Sequence, residues 1–256
     1  MSETHETSTQ PFRLDGKIAL ITGAGSGIGA ATAALFSRSG ATVLLVDIDG
    51  HRAQQAAADL ENATAHTCDI TDESQVSHLF AGIPKLDILV NCAGIGLVGG
   101  VAETELADWQ RLFRVNVEGC FLMTKAAIGL LKQVHGSVLN IGSVAGLVGV
   151  RRRFAYCATK GAVIAMTKQL AVDYPTEIRS NCIAPGTVES PFVEAYLEKY
   201  HKHEKAKVRA ELHERQPLGR MGRPDEIAQL ALYVCSPAAA FMNGSIVAID
   251  GGWTAA

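Results

Sequence analysis

The sequence predicts an α/β fold in which one doubly wound sheet of seven parallel strands carries helices on both faces and a helical lid over its functional end. Two observations predict it. Short apolar runs of strand length alternate with helix-length stretches almost throughout, and those stretches are long enough to act as the crossovers that parallel strands require. The chain has 256 residues, of which 48% are hydrophobic, enough for one large α/β core.

The strands follow in order. Lys17 to Thr22 is the first apolar run, and a glycine-rich turn leads from it into a helical stretch, Ile28 to Ser39. Thr42 to Asp47 and Ala63 to Cys68 are the second and third, and helical periodicity resumes from Asp72 to Gly82. Leu86 to Asn91, Ser137 to Gly142, Ile178 to Ala184 and Ser245 to Ile249 complete the seven. One segment breaks the rhythm: Glu189 to Gln216 is highly charged, carries Phe192, Tyr196 and Tyr200, and precedes a helix opened by Pro224-Asp225-Glu226. It reads as the lid, residues 189–216. Residues 14–256 form one domain in this reading, and 1–13 are a flexible polar tail without the apolar region of a signal peptide.

Composition excludes several function classes. A formal charge of -3 and the lack of a basic stripe argue against a nucleic-acid partner. No apolar run approaches the roughly 18 residues of a membrane span. The cysteines at 68, 92, 120, 157, 182 and 235 are dispersed without a Cys-x-x-Cys, which suits buried thiols in a reducing cytoplasm. No metal site is expected, since His201 and His203 are two apart and would point to different sides of a helix.

The chemistry concentrates at Ser143, Tyr156 and Lys160, with Asn116 upstream. Residues four apart share a helix face, so Tyr156 and Lys160 would send a phenol and an ammonium into the same space. A phenol has an ordinary pKa of roughly 10, and a neighbouring cation favours its phenolate, the form that serves as a base near neutral pH. Ser143 closes a strand-like run, at the carboxyl edge where open α/β sheets bind ligands.

The cofactor end follows the first strand. In Thr22-Gly23-Ala24-Gly25-Ser26-Gly27-Ile28-Gly29, glycines let backbone N–H groups approach a pyrophosphate, and the helix opening there adds partial positive charge. Asp47 ends the second strand, where a carboxylate accepts both ribose hydroxyls and repels a 2′-phosphate. Ala24, Gly25, Ser26 and Ile48 provide no basic group for that phosphate, so NAD is expected rather than NADP. Asp69 and Ile70 at the third strand and Asn91, Ala93 and Gly94 at the fourth border the same crevice.

Together these residues resemble those of the short-chain dehydrogenases/reductases over nearly the whole chain from Leu14. The family's Thr-Gly-x-x-x-Gly-x-Gly falls on Thr22, Gly23, Gly27 and Gly29, and its Asn-x-Ala-Gly on Asn91, Ala93 and Gly94. Its catalytic tetrad falls on Asn116, Ser143, Tyr156 and Lys160, and its Pro-Gly turn on Pro185 and Gly186, beside Thr187 and Val188. The resemblance implies a Rossmann-like fold and an NAD-linked alcohol dehydrogenase. In it Tyr156 removes the alcohol proton, Ser143 hydrogen-bonds the substrate oxygen, Lys160 binds the nicotinamide ribose and favours the phenolate, and Asn116 holds a water on the proton path. Ser26, Ile28, Ile48 and the Pro185-to-Val188 turn would complete the cofactor contacts. It further implies a homotetramer, with helices including 105–132 and 154–174 between subunits and Trp253 to Ala256 nearing a neighbouring site. Two departures stand out: Cys92 replaces a common second Asn, and Glu177 stands where a helix-ending Gly is usual.

Arg151-Arg152-Arg153 points to the substrate. A loop bounded by Ser143 and Tyr156 passes close to it, and guanidinium groups bind carboxylates bidentately. An anionic substrate is therefore expected, with Arg153 as the contact and Arg215 and Gln216 approaching from the lid. Arg151 and Arg152 serve equally well as partners of acidic groups on the surface or at a subunit contact. Within the family the chain is most similar to sugar-acid dehydrogenases of the 2-keto-3-deoxy-L-fuconate type, then to cytosolic-type 3-hydroxybutyrate dehydrogenases and to 3-oxoacyl carrier-protein reductases. A non-catalytic NAD-binding protein on the same fold is the reading from another class.

Overall fold

The computed structural model describes residues 12–255; most of the expected tail lies outside the described residues. Seven strands form one parallel sheet: β1 (Ile18–Thr22), β2 (Thr42–Asp47), β3 (Ala63–Thr67), β4 (Ile88–Asn91), β5 (Ser137–Ile141), β6 (Arg179–Pro185) and β7 (Ile246–Ile249). Their spatial order is β3-β2-β1-β4-β5-β6-β7, so the chain winds outward from β1 in one direction and from β4 in the other. That reversal opens a crevice at the carboxyl ends of β1 and β4, the position at which such sheets bind ligands.

Side-chain alternation divides the core into two layers. Ala19 and Ile21 of β1 face one side, where they join Phe36 of α1 (Gly27–Arg38) and Ile227 and Ala231 of α9 (Pro224–Cys235). Leu20, between them, faces the other side with Met123, Ala127 and Leu131 of α5 (Gly119–Gln133) and Val76 of α3 (Glu73–Ala81). Period two in the strand thus selects which residue meets which helix. β5 is buried along its whole length, as an inner strand covered on both faces must be. The short α2 (Gly50–Ala57) follows β2 and begins at Asp49, whose carboxylate accepts from the Arg52 N–H.

Two helical regions differ from the expectation. The single helix expected at 105–132 is α4 (Leu106–Phe113) and α5 joined by a π-helical turn, Arg114–Glu118, with Asn116 buried at its centre. The cause is a tertiary contact: both polar ends of the Asn116 side chain bond Ile95 beyond β4, which draws one extra residue into that turn. The lid is two helices, α7 (Pro191–Tyr200) and α8 (Lys205–Glu214), packed on their own small core of Val193, Leu197, Val208 and Leu212. The 20-residue α6 (Phe154–Asp173) carries Tyr156 and Lys160.

Candidate active site

The carboxyl ends of the strands open into one cavity of ≈ 570 Å³. Its cofactor side is built from glycines that no other residue could replace without movement. A Cβ on Gly23, whose φ is +65°, would lie 2.8 Å from the Ala93 Cα, and one on Gly29 would lie 2.2 Å from the Gly23 carbonyl oxygen. Gly23 lets β1 and β4 converge, and Gly29 seats the helix on its strand. The Asp47 carboxylate accepts from the Gly25 N–H at 2.9 Å and from the Asp49 N–H at 3.0 Å. Those bonds hold it at the cavity wall beside Ile48, which is 69% exposed. Gly23, Ser26, Ile28, Asp47, Ile48, Asp69, Ile70, Ala93 and Gly94 all line the cavity, as do Pro185, Gly186, Thr187 and Val188. This cradle fits a dinucleotide: a glycine-rich turn before a helix N-terminus, a carboxylate at the next strand end, and, among the described residues, no basic side chain paired to that carboxylate.

Three expected cofactor residues stand behind the wall. Gly27 and Gly29 shape the turn, and Asn91 lies buried with its amide donating to Thr124 Oγ1 at 3.1 Å and Asn140 Oδ1 at 2.9 Å. Asn140 in turn donates to Thr167 Oγ1 at 2.9 Å, so β4, β5, α5 and α6 share one buried polar network. The network ties the strand ends to the two helices, while Asn91 Oδ1 is left without a hydrogen-bond partner.

Ser143, Tyr156 and Lys160 meet in the cavity wall. The Ser143 hydroxyl oxygen accepts from the Ala145 N–H at 3.1 Å, leaving its own O–H available for the cavity. Lys160 is 6% exposed; its ammonium donates to the Ile141 carbonyl at 2.9 Å and lies 5.8 Å from the centre of the Tyr156 ring. No carboxylate pairs with it among the described residues, so its charge is directed at the phenol and the cavity. The Asn116 side chain faces Ile95 and Thr159. It is spent: Oδ1 accepts from the Ile95 N–H at 2.8 Å, and Nδ2 donates to the Ile95 carbonyl at 3.0 Å and Thr159 Oγ1 at 3.1 Å. A water on the proton path would have to meet its main-chain carbonyl. Burial pushes the Cys92 thiol, in the same wall, up to about 12, so it stays a neutral packing residue.

The substrate side is cationic and aromatic. Arg153 lines the cavity with its guanidinium 4.5 Å from the centre of the Tyr196 ring and one N–H donated to the Leu97 carbonyl at 3.2 Å. Burial lowers its pKa from the ordinary value, opposed by Tyr196 and Tyr156. Arg215 also lines the cavity, 5.9 Å from the Trp253 ring centre. Neither guanidinium has a carboxylate partner among the described residues. The neighbouring arginines differ. Arg152 pairs with Glu103 at 3.3 Å, and Arg151 is exposed. Backbone bonds from Gly99 N–H to the Arg152 carbonyl and from Phe154 N–H to the Gly99 carbonyl pin the loop, so that Arg153 alone turns inward.

Gln216 corrects another expectation. It is 2% exposed and lies outside the cavity wall, with Oε1 accepting from the Thr187 N–H at 3.2 Å and Nε2 donating to the Leu212 carbonyl at 2.8 Å. It braces the turn after Gly186 rather than touching substrate. Residues that the sequence did not place in this site complete the wall: Phe192, Tyr196, Trp253, Arg111 and Val115. The aromatic spacing of the lid was the only available signal, and it does not tell which ring faces inward.

Residues 23–254 match the family model described as Enoyl-(Acyl carrier protein) reductase. The chain is 39% identical over 250 residues to 2-keto-3-deoxy-L-fuconate dehydrogenase of Xanthomonas campestris pv. campestris, covering 96% of this chain and 83% of that protein. It is also 39% identical over 253 residues to 2-(S)-hydroxypropyl-CoM dehydrogenase 3 of Xanthobacter autotrophicus, covering 95% and 98% of the two chains. Among solved structures, the crystal structure of gox2181 superimposes with a TM-score of 0.88 at 29% identity, covering 95% of this chain and 98% of that one.

Proposed function

The chain belongs to the short-chain dehydrogenase/reductase family, and on that premise we propose that it oxidises a secondary hydroxyl on a small carboxylate-bearing substrate, with 2-keto-3-deoxy-L-fuconate, oxidised at its 4-hydroxyl, the best-supported identity. The observation that carries the charge of the substrate is the pair Arg153 and Arg215, two cations in one cavity wall without a carboxylate partner among the described residues. Arg153 is half-buried, where an unpaired charge is costly and an arriving carboxylate supplies what the protein omits; the exposed Arg215 faces the same space. The particular acid is supported by the likeness to the relative of that name.

Each residue takes a step that its contacts allow. Ser143 donates its free O–H to the substrate oxygen, because its lone pair already holds the Ala145 N–H. Tyr156 receives the hydroxyl proton. Lys160, anchored on the Ile141 carbonyl, turns its remaining N–H groups to the phenol and the nicotinamide ribose. Asn116 would hold, at its main-chain carbonyl, a water that carries the proton onward from Lys160. NAD, when bound, supplies the hydride acceptor. The six free thiols suit a cytoplasmic enzyme, and exposed Phe121 on α5 and Val172 on α6 suit contacts in a homotetramer.

The test is NADH formation with 2-keto-3-deoxy-L-fuconate, 3-hydroxybutyrate and 2-hydroxypropyl-CoM compared by kcat/KM. The sugar acid is expected to be fastest; a zero rate with it, or rates equal across the three, rejects it as substrate.

A further inference from the structure

Outside the cavity, on the far side of Tyr196, lies an arrangement with no part in the steps above. The Tyr196 hydroxyl is 2.9 Å from His201 Nε2, and His201 Nδ1 is 3.1 Å from Glu204 Oε1. His201 follows the last turn of α7 and Glu204 caps the start of α8, so the chain Tyr196–His201–Glu204 spans the joint between the two lid helices. His201 does not line the cavity. On its near face, Tyr196 holds the Arg153 guanidinium at 4.5 Å from the ring centre.

The order of protons follows from the partners. A carboxylate accepts only, so Glu204 takes the Nδ1–H of His201 and fixes that tautomer. Nε2 then keeps its lone pair and accepts from the Tyr196 hydroxyl. A phenol that donates its proton becomes richer in electrons across the ring, and that ring face is what attracts the Arg153 cation. The same bond removes rotational freedom from Tyr196, whose other neighbour on the lid is the Tyr200 ring at 5.9 Å.

We propose that Glu204, His201 and Tyr196 form a hydrogen-bonded relay that fixes the Arg153 guanidinium toward the acidic group of the substrate, making His201 a positioning residue for anion recognition. The proposal rests on the anionic-substrate reading above. Leu97 fixes one edge of the guanidinium through its carbonyl, the Tyr196 face fixes its plane, and the remaining N–H groups are left for a carboxylate.

The experiment compares 2-keto-3-deoxy-L-fuconate with its carboxamide, in NADH formation by the full chain. His201→Ala is expected to raise KM for the acid roughly 3- to 30-fold, the range of a partly desolvated cation–π contact, with kcat changed less than twofold and the carboxamide unaffected. Tyr196→Phe keeps the ring and its packing and is expected to give the same split, so the test survives if His201→Ala folds poorly. His201→Gln, whose amide oxygen can accept from Tyr196, should recover part of the loss. Combined with Arg153→Met, His201→Ala should add nothing. If Arg153→Met raises KM for the acid and spares the carboxamide but His201→Ala and Tyr196→Phe leave both KM values unchanged, the relay is wrong and the anionic reading stands. If Arg153→Met changes KM for the two compounds by the same factor, or neither compound reacts, both fall.

Discussion

Gln216, at the end of the lid, accepts the Thr187 N–H at 3.2 Å and so ties α8 to the turn that follows β6. Its amide group also donates to the Leu212 and Arg220 carbonyls, so the side chain joins three segments while lying outside the cavity wall. Gln216→Ala should cost about 1–3 kcal/mol, the cost of leaving a buried N–H unpaired. It should also raise KM for NAD more than KM for the alcohol. Thermal unfolding together with separate titrations of the two substrates measures both; an unchanged Tm would show that Thr187 finds another partner.

Tyr156→Phe should lower kcat by roughly 10²–10⁴-fold, the usual contribution of a positioned general base. NADH binding, followed by fluorescence, should stay within a few-fold, because the ring and its packing beside Phe192 remain. Undiminished turnover would remove Tyr156 from the proton path.

Asp47 is expected to set the cofactor. Asp47→Asn removes the charge that opposes a 2′-phosphate and weakens a charge-assisted bond of about 1.5–3 kcal/mol. The NAD:NADP ratio of kcat/KM should fall roughly 10- to 100-fold. A ratio that does not move would mean discrimination lies elsewhere, with Arg52, which faces the same turn, as the first place to look.

Arg152 and Arg153 should separate cleanly. Arg152 has φ +57°, a left-handed conformation that favours glycine, and its side chain reaches outward to Glu103. Arg152→Gly should keep kcat/KM within twofold and hold or raise Tm, whereas Arg153→Met should raise KM for the acid. Equal losses in the two variants would return Arg152 to the substrate site.

Asp87, 3% exposed at the opposite end of the sheet, is expected to contribute to the acid limb of stability. Burial pushes its carboxyl up, but the Ile18 N–H and the Lys17 and Lys85 ammonium groups outweigh that and hold it below the ordinary value. A depressed carboxyl stabilises the fold above its unfolded value and loses that contribution as pH falls through the folded one. Asp87→Asn should therefore lower Tm at pH 7 and flatten its decline below pH ~4. Parallel Tm–pH curves for the two proteins would exclude Asp87 as the source.

How much was legible in the chain follows from which forces are local. Alternating apolar runs announced the seven strands because period two and period 3.6 are written in neighbouring residues, and the glycine turn, Asp47 and the Tyr156–Lys160 spacing sit at ends of elements that those periods place. Asn116 was visible as a residue but not as the centre of a π-helical turn, since that turn exists only because Ile95, brought from beyond β4, captures its side chain. Gln216 and Arg215 are adjacent, and nothing in their sequence says that one turns into the body of the protein while the other faces the cavity. The three consecutive arginines posed the same problem, and a backbone bridge to Gly99, more than 50 residues earlier, resolved it. Tyr196 meets Arg153 only after the lid docks. Element type and the chemistry at element ends were thus carried by the order of residues, whereas the direction of each polar side chain was set by partners distant in sequence, whose approach depends on packing the whole sheet and lid.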